Sequence, residues 1–211
     1  YGGSGSGASD TSSNIDLVTG LTNAGFTVNQ ELVDFYKKSG VSRAAQKGFE
    51  GSNFTPAEVP AEKYSDTLLQ NAKAFSDVAI VTFSRVGGEG GDLSRDLLGD
   101  LNSGVSQTFT ANDETANYEE GQHELELTVE EKSVLAAAKA ACDKVVVLIN
   151  ASTPLEAGPL MSGEYAADAI LCIGSLGATG ANGVGKLLVG EYNPSGRTTD
   201  IWPADFTADP T

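Results

Sequence analysis

The sequence predicts an α/β fold, a three-layer αβα sandwich around a mostly parallel sheet. Short apolar runs at 78–83, 145–149 and 169–173 carry almost no polar residue, as strands covered on both faces do. Between them lie stretches whose apolar residues recur at helical spacing. Helices alternating with short, doubly buried strands imply parallel pairing through crossover connections. The chain has 211 residues, enough for one full core, and nothing in it repeats.

The elements follow in order. Ile15, Leu17, Val18 and Leu21 give a first helical face, with Ser13 or Asn14 as its cap and Gly25 as its stop. After a short FTV at 26–28, Asn29 caps a second helix to about Ser39, with Leu32, Val33 and Tyr36 facing inward and Gly40 ending it. Residues 41–63, with Pro56 and Pro60, hold no sustained period and read as an ordered surface loop. Ser65 opens a third helix whose Leu68, Ala72 and Phe75 share a face, and this helix leads into the strand at 78–83.

A polar excursion then fills residues 99–127, longer than a structureless connection in a compact domain, so it is either mobile or the rim of a site. Thr128 and Glu131 form a capping box, opening a helix with Val134, Leu135, Ala138 and Cys142 on its buried stripe. The strand at 145–149 ends at Asn150, for which an Asx turn is favoured over a ligand contact. The strand at 169–173 feeds a glycine-rich turn and a helix around 184–189. GEYNPSGR then makes a tight turn in which Arg197 is expected to anchor the last segment rather than bind substrate.

Composition narrows the function. With 29 acidic against 13 basic residues the formal charge is −16, which argues against nucleic acid or an anionic membrane as partner. No apolar run reaches the roughly 18 residues of a membrane span. Cys142 and Cys172 lack C-x-x-C or metal spacing and read as buried thiols, with no metal or cofactor implied. His123, alone among carboxylates, reads as a solvated surface group, since no pattern supplies it with a dyad or metal partner.

The chemistry concentrates where the strand at 78–83 empties into a glycine loop, the place at which ligands bind in open α/β sheets. Gly87, Gly88, Gly90 and Gly91 free the backbone around one carboxylate, Glu89. A phosphate cradle would want backbone N–H groups and a basic residue, and here Glu89 and Asp92 would repel the anion. The pattern alone leaves a tight solvated turn and a functional acid both open.

SRVGGEGGDLSRDLLGD resembles the strand-and-loop signature of the C-terminal α/β sandwich domain of family 3 glycoside hydrolases, the β-glucosidase family. YGGSGSG followed by LTNAGFTVN, then KVVVLINAS, then GANGVGKLLVGEYNPSGRTTDIWP agree with it in the expected order, so the likeness covers residues 1–211. In that family a strand precedes the YGGSGSG run. The resemblance therefore implies a sandwich lacking its first strand, cut from a larger enzyme, although composition alone reads the opening residues equally well as an ordinary flexible terminus.

What the resemblance implies about function is retaining hydrolysis at the non-reducing end of a β-glycoside, most often β-linked glucose. The nucleophile would be an aspartate on a TIM-barrel domain of the same parent chain, which itself needs about 250 residues and is not in this sequence. Glu89, the Glu of GEG, carries over as general acid/base, with no metal and no cofactor. Alone, Glu89 should titrate ordinarily. Arg85 and Asp92 flank the loop as candidates for orienting Glu89 or contacting sugar hydroxyls, with a structural ion pair the favoured role for either. The family often has Asp-Arg directly after the GEG element, whereas Leu93 and Ser94 intervene here, which weakens any role for Arg95. Glu114, Glu119 and Glu120 are the fallback acids. Against the enzyme stands a second class, a carbohydrate-binding or scaffolding module with Glu89 a bystander.

Overall fold

A computed structural model of the chain describes residues 10–39, 41, 58–85, 93–99, 118–151 and 153–208, and the architecture below concerns these. In chain order the elements are α1 (Leu17–Asn23), α2 (Gln30–Ser39), a 3-10 turn (Ala61–Lys63), α3 (Asp66–Phe75), β1 (Val78–Arg85), α4 (Val129–Ala141), β2 (Lys144–Ala151), α5 (Gly158–Met161), β3 (Ala169–Cys172), α6 (Ala181–Leu188) and a 3-10 turn (Phe206–Ala208). The strands form one sheet in the order β1-β2-β3, all parallel, with Val81 opposite Val147 and Leu148 opposite Leu171.

That register sorts the side chains. Val81 and Phe83 of β1 share a face with Val145, Val147, Ile149 and Ala151 of β2, and all six are buried. Over them close Leu127, Val134, Leu135, Leu155 and Leu160, with α4 lying against β1 and β2. Each large side chain removed from water here contributes roughly 1.5–3 kcal/mol. Leu148 points to the opposite face and is also fully buried, so β2 is the central, doubly covered strand. The observed class is the expected one, a parallel three-layer sandwich.

The edges depart from expectation. The apolar run of β3 implies burial on both faces, but Ala169, Ile170 and Cys172 are exposed and only Leu171 is half-buried, because β3 has a partner on one side only among the described residues. Cys172 is therefore an exposed thiol and Cys142 a half-buried one whose Sγ lies 3.3 Å from the Ser76 carbonyl oxygen. Phe75, expected inward, is 45% exposed.

The helix starts obey capping chemistry. Ser65 accepts from Leu68 N–H, and Asn29 Oδ1 accepts from Leu32 N–H. Thr128 and Glu131 close both halves of the capping box. At α1 the cap is Asp16, whose Oδ1 accepts from Thr19 N–H at 2.7 Å, rather than Ser13 or Asn14. With Asp16 as the cap, Ile15 lies just outside the helix, and its N–H donates to the Ala178 carbonyl at 2.8 Å. α1 and α6 then meet at backbone distance: a Cβ on Gly20 would lie 2.4 Å from the Ala181 carbonyl oxygen, so only glycine permits the contact.

Candidate functional site

The site is built at the carboxyl end of β1. Alternation along the strand puts Arg85 on the same face as Val81 and Phe83, one step past the apolar core and opposite Ala151. There it meets the first turn of α4. Residues 86–92, which hold Glu89 and Asp92, lie outside the described residues, as does Glu114, but the chain on both sides of 86–92 is described.

Arg85 is 3% exposed and every one of its five N–H groups is engaged. Nη1 and Nη2 meet Glu131 Oε1 and Oε2 at 2.6 and 2.7 Å, a two-pronged fork. Nε donates to the Glu124 carbonyl at 2.6 Å, Nη2 to the Glu126 carbonyl at 2.8 Å, and Nη1 to the Ser84 carbonyl at 3.0 Å. Burial works against this charge, yet the carboxylates of Glu131 and Glu124 outweigh it and hold the guanidinium's pKa above its ordinary value. No N–H is left for a sugar hydroxyl. The expectation of a substrate contact for Arg85 gives way to its structural alternative, because the strand pleat turns the side chain into the protein and a buried guanidinium needs all its acceptors.

Glu131 does two jobs. As the third residue of α4 it completes the capping box by accepting from Thr128 N–H at 3.0 Å, and the same carboxylate carries the fork to Arg85. The helix N-terminus favours a negative charge there. Local spacing in the sequence gives the first role and is silent on the second, since 46 residues separate the two partners.

The downstream side of the segment is tied to the same platform. Ser94 N–H donates to Glu124 Oε2 at 2.8 Å, Glu124 N–H returns to the Ser94 carbonyl at 3.0 Å, and Leu97 N–H reaches the Gln122 carbonyl at 2.9 Å. Gln122 Nε2 donates to the Leu127 carbonyl. Leu97 and Tyr118, both buried, form a small apolar cluster with Leu98. Glu124 thus touches both sides of 86–92, its main-chain oxygen on Arg85 and its carboxylate on Ser94.

Further carboxyls crowd the base of this network. Glu130 is 4% exposed. Glu58 accepts from Val59 N–H at 2.6 Å and faces Tyr36, whose hydroxyl lies 2.6 Å from that of Tyr64. Burial pushes the Glu58 pKa up to about 7, with the Val59 and Tyr36 hydrogen bonds opposing and the charges of Glu131 and Glu130 adding to the rise.

The remaining candidates stand apart. Glu119 and Glu120 are exposed, and Glu119 sits 3.7 Å from Lys132 at the rim of a hollow of about 320 Å³ that Tyr165 and Ser133 also line. His123 is half-buried rather than solvated. Its ring stacks on Phe206 at 5.1 Å, its Nδ1 accepts from Leu125 N–H, and burial lowers its pKa. Asn150 lies within β2 and its Nδ2 reaches Ser84 Oγ at 3.3 Å across the sheet, while residue 152, the partner an Asx turn would need, lies outside the described residues. Arg95 is exposed. Arg197 is exposed and no partner for it appears among the described residues; the hold on the last segment seen there is the Pro203 carbonyl, which accepts from Ala157 N–H. Among the described residues no three His, Cys, Asp or Glu gather as a metal ion requires, and no helix is long and apolar enough to cross a membrane.

A buried Arg85–Glu131 pair at the carboxyl end of a parallel strand, tied through Glu124 to Ser94, is the geometry to compare with known proteins. The model of the glycosyl hydrolase family 3 C-terminal domain matches residues 1–211. The chain belongs to that family. A β-glucosidase of Ruminococcus albus is 26% identical over 200 residues, covering 92% of this chain and 18% of its own length. Among solved structures, β-glucosidase 3B from Thermotoga neapolitana in complex with glucose matches with a TM-score of 0.68 at 22% identity, over 98% of this chain and 26% of that one. A β-glucosidase from Paenibacillus barengoltzii matches with a TM-score of 0.64 at 21% identity, over 99% of this chain and 20% of that one. At those identities the structural likeness establishes the fold, the family 3 C-terminal sandwich. This domain spans about a fifth to a quarter of the proteins it matches.

Proposed function

We propose that this family 3 domain is the acid/base-donating part of a retaining β-glycosidase, β-glucosidase-like and exo-acting on oligo- or aryl β-glycosides, with Glu89 as the acid/base. Retaining hydrolysis needs two carboxyl groups about 5–5.5 Å apart. In this reading a TIM-barrel domain of the same parent chain supplies the nucleophile, and the sandwich domain is inactive alone. Glu89 protonates the glycosidic oxygen as the nucleophile takes the anomeric carbon. It then removes a proton from the water that releases the sugar. Asp92 stands beside it as a candidate contact for sugar hydroxyls.

One observation carries the assignment to Glu89: the segment that holds it leaves the carboxyl end of β1 between two buried anchors, Arg85 and Ser94. A general acid working near neutrality needs a carboxyl held above the ordinary carboxylate range. Docking against a second domain would desolvate it and raise its pKa toward the range a general acid needs.

The test uses the full-length enzyme with Glu89→Ala. Substrates with poor leaving groups should slow by roughly 10²–10⁴-fold, activated aryl glycosides far less. Equal rates of wild type and variant on both classes would leave a carbohydrate-binding or scaffolding module instead.

A further inference from the structure

One side of α4 carries a hollow of about 320 Å³ lined by Glu119, Val129, Lys132, Ser133, Ala136 and Tyr165. Counted from Val129, the four helix residues stand at i, i+3, i+4 and i+7, so they share one stripe of α4, beside the stripe that buries Val134 and Leu135. Ser133 and Ala136 are small, which leaves room among the longer side chains of Glu119, Lys132 and Tyr165.

The rest of the lining is held from elsewhere in the fold. Tyr165 packs against the main apolar core, and the carbonyl of the next residue, Ala166, accepts from Lys139 Nζ at 2.8 Å, which ties the approach to β3 to α4. Glu119 N–H donates to Gln122 Oε1 at 3.0 Å, and Gln122 Nε2 donates to the Leu127 carbonyl. A lining braced by its own partners is largely pre-formed, as small-molecule sites are.

The chemistry of the lining selects the guest. Lys132 Nζ lies 3.7 Å from the Glu119 carboxylate, so the two charges offset each other and neither an anion nor a cation gains by entering. The chain's net charge of −16 disfavours an anion further. Ser133 Oγ already donates to the Val129 carbonyl at 2.8 Å, which leaves it an acceptor, as is Glu119. Lys132 donates, and the Tyr165 hydroxyl does either. Val129, Ala136 and the Tyr165 ring add apolar surface. A wholly apolar guest would strip water from the polar groups and leave them unmet. A pyranose meets both kinds of surface, because its hydroxyls donate and accept at the rim of the ring while its C–H faces lie flat on an aromatic side chain.

We propose that this hollow on α4 is a binding site for neutral sugars. It takes a hexopyranose, free or as one unit of an oligosaccharide, with Tyr165 as the platform and Lys132, Glu119 and Ser133 meeting the hydroxyls. The site goes beyond the proposed function: no part of it involves Glu89, so it stands whether or not that residue is the acid/base.

Photoaffinity labelling of the full-length enzyme tests this, because it reports where a sugar sits as well as whether it binds. The probe is an S-linked β-glucoside, which resists hydrolysis, carrying a diazirine; the labelled peptides are read by mass spectrometry. Peptides holding residues 129–136 and Tyr165 should be labelled. Glucose and S-linked cellobiose should suppress that labelling at concentrations on the order of millimolar, and gluconate should do so less well. Ala136→Phe fills the hollow from an exposed helix position and should cut the labelling of these peptides by about 10-fold. Tyr165→Ala should raise the glucose needed for competition by about 3- to 10-fold. Wild-type enzyme unlabelled at these peptides, labelling that ignores competing sugar, or labelling that persists at full strength in Ala136→Phe would overturn the proposal. Gluconate competing better than glucose would overturn the assignment to neutral sugars. A Glu89→Ala variant with no dependence on the leaving group would remove the acid/base reading and leave these results untouched.

Discussion

Glu58 shows how much the surroundings of a single carboxyl decide. Its ordinary pKa of 4.5 rises to about 7 through burial beside Glu131 and Glu130, against the pull of its bonds from Val59 and Tyr36. The folded chain thus keeps a proton that the unfolded chain releases. Its stabilising contribution is complete below about 4.5 and disappears as the pH climbs through about 7. Denaturant titrations at about pH 5 and about pH 7.5 should show stability falling by up to about 3 kcal/mol, since a folded-state pKa one higher than the unfolded one corresponds to about 1.4 kcal/mol. Glu58→Gln should flatten the fall. An unchanged slope in that variant would move the cause to another group, Glu156 being next, whose pKa is also raised by burial.

At the scale of elements, the contact between α1 and α6 makes opposite predictions for two glycines. A methyl at Gly20 would press on the Ala181 carbonyl, main chain that cannot rotate away, so Gly20→Ala should destabilise by about 1–3 kcal/mol. Gly183, within α6, has nothing within 4 Å of its added Cβ. Gly183→Ala should stabilise by about 0.5–1 kcal/mol through helix propensity and a less free unfolded chain. The midpoints of urea unfolding read both. A destabilised Gly183→Ala or a neutral Gly20→Ala would contradict the packing described.

Local signals in the sequence are the ones that come through. The capping box at Thr128 and Glu131, the caps at Ser65 and Asn29, and the three strands are all set by neighbours in the chain, and all stand as expected. What fails depends on distant partners. An apolar run such as AILCI looks the same whether its strand is central or at an edge, so the exposure of Cys172 is invisible in it. Ile15 looks helical, yet the cap falls after it at Asp16 and its N–H goes to the distant Ala178 carbonyl. Arg85 is legible as a structural ion pair, but neither Glu131 nor Glu124 is legible as its partner, because no periodicity links residues on β1 with the start of α4 and the stretch before it. The family motifs single out the segment at 86–92. Only the fold reveals what grips its ends.

For the whole molecule, the Arg85 guanidinium is buried against Glu131 and Glu124 at the carboxyl end of β1, and in the proposed function a second domain completes the reaction centre there. The most direct measurement is the pH dependence of kcat/KM for the full-length enzyme and its Glu89→Gln variant, because that profile reports the essential ionising groups of the free enzyme. The wild type should give a bell whose alkaline limb is absent in Glu89→Gln, with the acidic limb kept. An alkaline limb that survives the substitution at the same pH would contradict Glu89 as the proton donor.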